Sequence, residues 1–343
     1  MKDKKILIYG ANGYTGKLFA KYLLGKGITP ILAGRSDSVK KVAETLNCPF
    51  RIFSTENSGE HLSDVDTLVN VAGPFSKTQP GLIEGCLNTR THYLDITGEV
   101  PDVERVYAYH ERAVKAGIIL LPASGFGVVP TDLAAKMASE LIDDPTELTI
   151  VFDTKGGVSR GTLKTALKDI FKEGVIVRNN RFEPAKPAMK ELDVKMTEHK
   201  FNAVYNPWRG DLFMSRHSTG IPNIETYSTF PGFIVSMMKG KLGWLRKLIL
   251  NHLVNLLPEG PSDKQLQKGK TFIKAMVKNK KEEKAAVEMV GPEAYLFTLI
   301  CLYQLVELVL KSEKTGFQTP SGFGTDWMAE LKEVSVFKKH KKQ

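Results

Sequence analysis

Tyr93, Asp95, Thr97 and Glu99 alternate through the run His92-Tyr93-Leu94-Asp95-Ile96-Thr97-Gly98-Glu99. In an extended segment, a period of two puts all four side chains on one face. A phenol, two carboxylates and a hydroxyl gathered there can hold a carbonyl substrate or exchange protons with it, with Tyr93 and Asp95 as the catalytic candidates. The competing reading is structural: Asp95 or Glu99 caps the helix that follows Pro101, and Tyr93 packs.

A second constellation suits phosphate. Gly10-Ala11-Asn12-Gly13-Tyr14-Thr15-Gly16 follows the apolar run Ile6-Leu7-Ile8-Tyr9 and precedes a helical stretch over residues 17–26. The spacing Gly-x-x-Gly-x-x-Gly differs from the commoner Gly-x-Gly-x-x-Gly, but the physical demands are shared. Gly10 permits a tight turn, Gly13 opens the backbone to a pyrophosphate, and Gly16 lets helix and strand lie close. The next strand ends Ala33-Gly34-Arg35-Ser36, with no carboxylate before Asp37. An acid at that point would accept from the ribose 2′-OH of NAD. A guanidinium followed by a hydroxyl suits a 2′-phosphate, so the expected cofactor is NADP.

These residues need a scaffold that brings strand ends together. Residues 49–53, 67–72, 92–95 and 117–122 read as further strands, with helices over 80–87, 103–115 and 131–141. Six strands with helices between them predict an α/β fold: a doubly wound parallel sheet with right-handed crossovers. A chain of 343 residues exceeds one average core, so two domains are expected. Residues 1–130 form an NADP-binding Rossmann domain in this reading. Residues 131–290 form a mixed α+β domain for substrate or dimerisation, with strands at 149–152, 175–178, 193–196 and 201–205 and a hairpin of 270–277 with 284–290. Residues 291–343 add C-terminal helices that pack back on the Rossmann domain. They end in a basic tail, Lys338-Lys339-His340-Lys341-Lys342, expected to be disordered.

Hydrophobic content of 42% and charged content of 25% describe a globular chain. Cys48, Cys86 and Cys301 lie far apart and form neither a disulfide framework nor a metal pattern, which suits a reducing cytosol. The opening Met1-Lys2-Asp3-Lys4-Lys5 runs into the first strand, so no signal peptide is expected and the localisation is read as cytoplasmic. The net charge of +10 has no nucleic-acid module beside it and suits a positive field around an anionic cofactor. The seven histidines lack metal-ligand spacing, so no metal is expected.

Four motifs in order resemble the saccharopine dehydrogenase-like oxidoreductases, a family that includes trans-acting enoyl reductases. They are Gly10 to Gly16 with Ala33-Gly34-Arg35-Ser36; Val71-Ala72-Gly73-Pro74-Phe75; the run His92 to Glu99; and Ser124-Gly125-Phe126-Gly127-Val128-Val129-Pro130-Thr131-Asp132. Weaker matches at Gly156-Gly157-Val158-Ser159-Arg160-Gly161-Thr162 and Gly316-Phe317-Gln318-Thr319-Pro320 carry the likeness through nearly the whole chain. Many relatives have Asp after the Gly-Phe pair, where this chain has Gly127. The resemblance implies hydride transfer between NADPH and a carbonyl, imine or enoyl carbon. Ala72, Gly73, Pro74 and Phe75 end the fourth strand at the carboxyl edge, where open α/β sheets bind ligands. Ser124, Gly125 and Phe126 are expected to flank the nicotinamide with them.

Other motifs compete for a function. Gly157-Val158-Ser159-Arg160-Gly161 matches a hydrolase nucleophile elbow, with His199, His217 and His252 downstream, but the resembled family uses this turn without hydrolase chemistry. Tyr22-Leu23-Leu24-Gly25-Lys26 mimics a Tyr-x-x-x-Lys pair but lies on the first helix, away from the expected nicotinamide. Residues 231–257 mix Phe233, Met237, Met238, Leu242, Trp244 and Leu245 with Lys239, Lys241, Arg246 and Lys247. That pattern suits the lid of an apolar pocket or an interfacial helix. The expected partners are therefore a small-molecule or acyl/lipid substrate, a peripheral membrane contact and a second copy in a homodimer, not nucleic acid. The main alternative to an oxidoreductase is a non-catalytic NADP sensor that binds a partner.

Overall fold

The computed structural model describes residues 3–157, 159–160, 172–240 and 259–341. It resolves two compact units, one of Met1–Gly127 with Thr298–Pro320 and one of Val128–Phe297 with Ser321–Gln343.

In the first unit the short apolar runs become strands, buried on both faces as a parallel sheet requires except for the partly exposed edge strand Phe50–Ile52. They are β1 (Ile6–Tyr9), β2 (Ile31–Gly34), β3 (Phe50–Ile52), β4 (Thr67–Asn70), β5 (His92–Asp95) and β6 (Ile119–Leu121). A two-residue strand, Gly316–Phe317, pairs in parallel with β6. The order is that strand, then β6, β5, β4, β1, β2 and β3. The order reverses between β1 and β4, so their carboxyl ends frame the crevice where such sheets bind ligands.

The helices of this unit are α1 (Tyr14–Gly25), α2 (Ser38–Leu46), α3 (Phe75–Thr89), α4 (Val100–Tyr107) and α5 (His110–Ala116). Helix α3 begins five residues before the expected Pro80. Pro80 lies inside it and leaves only the exposed Ser76 carbonyl without an intrahelical donor. The single helix expected over 103–115 is two. The break lets Nδ1 of His110 accept from the Phe317 backbone N–H at 3.1 Å.

The second unit opens with α6 (Val129–Ser139) and is built on a nine-stranded mixed sheet. Its strands include β7 (Pro145–Lys155), β8 (Gly174–Arg178), β9 (Arg181–Ala185), β10 (Glu191–Lys195), β11 (Lys200–Tyr205), β12 (Asn223–Ser228), β13 (Lys270–Asn279) and β14 (Lys284–Pro292). The expected hairpin is β13 and β14. Central strand β12, parallel to β7, has no counterpart in the sequence reading.

The basic tail is a correction. Ser335–Lys341 is a strand, antiparallel to β14. Lys339 Nζ lies 2.8 Å from the fully buried Glu288 carboxylate, which Lys274 also meets at 3.1 Å. Burial raises the Glu288 carboxyl, but donors from Lys339, Thr197 and Lys274 outweigh it and hold the group at about 2. A lysine run that looks solvated therefore closes a sheet edge around one buried charge. Among the described residues, Ala294–Lys311 is the one helix long and apolar enough to cross a membrane. It buries Phe297, Ile300, Cys301, Leu302, Leu305, Val306 and Val309, the pattern of a core helix.

Candidate functional site

The glycine turn leaves β1 at Gly10, whose φ of +89° suits only glycine without strain. A Cβ there would lie 2.8 Å from that of Ala72, and one at Gly16 would lie 2.5 Å from the Gly10 carbonyl oxygen. Both glycines are demanded by the fold. Gly13 is different. Its φ is −78°, it is exposed, and an added Cβ would meet only the Gly10 carbonyl oxygen at 3.3 Å. The protein itself does not need glycine there; an approaching pyrophosphate does. Helix α1 follows with no side-chain cap, so its first turn is the kind of helix N-terminus that would accept a pyrophosphate.

At the end of β2, Arg35 and Ser36 are exposed. The Arg35 guanidinium has no hydrogen bond or ion pair among the described residues. Ser36 Oγ lies 2.9 Å from Ser38 Oγ, which accepts from Asn12 Nδ2 at 2.9 Å. A cation, two hydroxyls and an amide thus line one rim beside the glycine turn. This matches a 2′-phosphate, and the residues present fit NADP. Ser38 went unread in the sequence because it lies beyond Asp37 and opens the next helix.

The loop Ala72–Phe75 leaves β4 at the crevice, with Gly73 and Pro74 exposed and open space beside Gly73. Strand β4 ends at Asn70 because Asn70 Oδ1 accepts the Ala72 N–H at 3.0 Å. Thr78 Oγ1 donates to the Ala72 carbonyl at 2.8 Å, and Asn70 Nδ2 reaches both Thr78 Oγ1 (3.1 Å) and the Tyr93 hydroxyl (3.0 Å).

Tyr93 and Asp95 are corrections to the catalytic reading. Both are 0% exposed. Asp95 Oδ2 accepts from Tyr93 Oη at 2.9 Å and Gln79 Nε2 at 2.8 Å, and Oδ1 from the N–H groups of Thr97 and Ala123 at 3.0 Å each. Every lone-pair direction is in use, and neither group reaches the surface. Burial raises the Asp95 carboxyl above its ordinary value against those donors. Burial and then the Asp95 charge push the Tyr93 phenol well above its own. The pair is a positioning hub: through Asn70 it fixes the Ala72–Phe75 loop. Thr97 Oγ1 and the Gly98 N–H lie 3.0 Å from Glu99 Oε2, and Arg105 bridges Asp102 and Gln79 on the outer side.

Ser124, Gly125 and Phe126 are also interior. The Ser124 N–H donates to the Asp95 carbonyl at 2.7 Å, Ser124 Oγ donates to the Leu121 carbonyl at 2.8 Å, and the Phe126 N–H reaches Thr298 Oγ1 at 3.1 Å. They support the hub from β6, while open space is found beside Gly127.

Val158, Gly161 and Thr162 lie outside the described residues, as do residues 241–257 with His252. Ser159 is buried, its N–H donating to Tyr295 Oη at 2.8 Å, and His199 is bonded to Asp153 rather than to Ser159. In the described part of the lipid segment, Gly232–Met238 is a helix that buries Ile234, Met237 and Met238 and leaves Phe233 51% exposed. Lys239 pairs with Glu191. No group of three or more metal-ligating side chains occurs among the described residues.

Residues 6–121 match the family model of the saccharopine dehydrogenase NADP binding domain. A candidate trans-acting enoyl reductase of Mycobacterium tuberculosis is 32% identical over 185 residues, 49% of this chain and 44% of that protein. A saccharopine dehydrogenase-like oxidoreductase of Bos taurus is 27% identical over 192 residues, 47% of this chain and 45% of that protein. The matches thus span less than half the length of these relatives. Apo saccharopine dehydrogenase (L-Glu forming) from Saccharomyces cerevisiae superposes with a TM-score of 0.67 over 99% of this chain and 100% of its own, at 12% identity, which is a likeness of fold.

Proposed function

We propose that the chain is an NADP(H)-dependent oxidoreductase of the saccharopine dehydrogenase-like kind, acting on a carbonyl, imine or enoyl carbon; the match of residues 6–121 to the saccharopine dehydrogenase NADP binding domain supports this reading. The observation that carries this reading is Arg35: exposed, unpaired, and next to Ser36 and Ser38 where an NAD site would hold an acid. Bound NADPH supplies a hydride. The chain's own part is to hold pyrophosphate on the first turn of α1, 2′-phosphate on Arg35 and the two serines, and the crevice loop through Asn70 and Thr78. An acyl- or lipid-like substrate is the class we favour. It is supported by the enoyl reductase relative and by Phe233, exposed beside the buried Met237 and Met238.

The test is NADPH consumption with cyclohexanone, 1-pyrroline and crotonyl-CoA as ketone, imine and enoyl probes. Oxidation with one of them at a rate above the protein-free background supports the reading. One observation favours a second reading, a redox sensor: the acid pair of the cofactor domain is sealed. Tight NADPH binding with no turnover on any probe would favour the sensor.

A further inference from the structure

The net charge of +10 is unevenly shared between the two units. The second holds 31 Lys and Arg against 23 Asp and Glu, and the first 17 against 15, so the second carries +8 and the first +2. The unit with the glycine turn is nearly neutral, and the excess belongs to the other.

Within the second unit the strands sort the cations. Paired residues of neighbouring strands share a face, and successive residues alternate faces. Ile273, Ala275, Val277, Val287 and Met289 are buried on one face of β13 and β14, where α6 packs. The alternate residues carry lysines. Lys270 of β13 pairs with Lys155 of β7. At the other end of β13, Lys278 pairs with Lys284 of β14, and Lys284 with Lys341 of the terminal strand. Strands lie about 4.8 Å apart, so each row sets like charges directly opposite one another, which costs stability.

The acids of this face are largely engaged. Glu288 is enclosed between Lys274 and Lys339, Asp153 is bonded to His199 and Thr229, and Glu282 lies 2.7 Å from Lys278. Glu147, opposite Lys278, is exposed. The ammonium groups of Lys155, Lys270 and Lys284 are exposed, with no hydrogen bond or ion pair among the described residues. Half-buried Met276, Ala286 and Phe337 lie between the two lysine rows.

We propose that this lysine-rich sheet face of the second unit docks on an anionic lipid bilayer. It lies wholly within one unit and does not depend on the oxidoreductase reading. A two-fold contact with a second copy would lay cations on cations, which disfavours a dimer through this face. Apolar side chains among the lysines favour a bilayer over nucleic acid: they enter the headgroup layer while the ammonium groups meet lipid phosphate and carboxylate.

The full chain is sedimented with sucrose-loaded vesicles of phosphatidylcholine, alone or with an equal part of phosphatidylserine. It should pellet with the mixed vesicles only, and be released in about 1 M salt, where the screening length is about 3 Å. The triple substitution Lys155→Gln, Lys270→Gln and Lys284→Gln should weaken partitioning about 100-fold, each cation near an anionic surface contributing about fivefold. It removes like-charge neighbours, so its urea midpoint should equal or exceed that of wild type, which separates lost binding from unfolding. The same loss of charge in the first unit, by Lys41→Gln, Lys115→Gln and Lys314→Gln, should leave partitioning within about twofold of wild type. The proposal is overturned by wild type that ignores the mixed vesicles or binds neutral ones equally, by a sheet-face variant that partitions like wild type, or by a first-unit variant that falls as far. A DNA duplex bound more tightly than the vesicles, and released by the sheet-face substitutions, would overturn it in favour of nucleic acid. A dimer that those substitutions tighten, by analytical ultracentrifugation, would overturn it in favour of a second copy.

Discussion

Two strand ends of one parallel sheet, those of β2 and β5, carry ionisable residues to opposite ends. Beyond β2, Arg35 is exposed with no hydrogen bond or ion pair among the described residues, beside two serine hydroxyls and a glycine turn that leaves room for phosphate. At the end of β5, Asp95 is enclosed by four donors from α3, β5 and the stretches after β5 and β6. Both are polar residues at the carboxyl edge, where ligands bind in this class of sheet. What separates them is satisfaction. A group whose hydrogen bonds are all made inside the protein organises its surroundings, and one left wanting is available to a ligand.

The contrast breaks most visibly at Asp95. Asp95→Asn places two N–H donors where donors already point, so about 3 kcal/mol of stability should be lost and the melting temperature should fall. NADP affinity of the folded fraction should stay within about threefold. A collapse of kcat at an unchanged melting temperature would return Asp95 to the catalytic machinery. The pH dependence has a defined sign. An acid whose folded value lies above its unfolded one binds its proton more tightly when folded. Its contribution is full below the ordinary carboxyl range and is lost as pH rises through the raised folded value. Urea midpoints across that range should differ in slope between the wild type and the Asn variant, the difference being the share of Asp95.

The glycines sharpen the same distinction. Gly16→Ala drives a Cβ to 2.5 Å from the Gly10 carbonyl oxygen and should cost about 2 kcal/mol of stability. Gly13→Ala should leave the urea midpoint unchanged and weaken NADP binding about tenfold by calorimetry, because the space it fills is the ligand's. Equal stability losses at both positions would show that the turn is read wrongly. The smallest effect is expected at Ser38→Ala, about threefold in NADP affinity with NAD unchanged, because water can take the place of the lost hydroxyl on the phosphate.

The sequence made the cofactor crevice legible because its parts are contiguous. The turn from Gly10 to Gly16 and the Arg35-Ser36 pair each lie within a few residues of a buried apolar strand. The hub was not legible as a hub. Alternation places Tyr93 and Asp95 on one face but cannot tell whether that face meets a ligand or Gln79, Asn70 and the Ala123 N–H. The terminal strand Ser335–Lys341 was hidden for the same reason. Its lysines read as solvated, and Glu288, which neutralises one of them, belongs to a distant hairpin. Likewise His199 and Asp153 meet only through the sheet, one from a turn and the other from a strand far off in the chain. Local chemistry is written locally; burial and long-range partnership are not.

The central claim is that Arg35 selects NADP. Calorimetric titration of wild type and Arg35→Ala with NADP and NAD tests it directly. A charged hydrogen bond to phosphate contributes about 1.5–3 kcal/mol, so the variant should lose about tenfold or more in NADP affinity and bind NAD as the wild type does. Equal losses for both cofactors, or no loss for either, would contradict it.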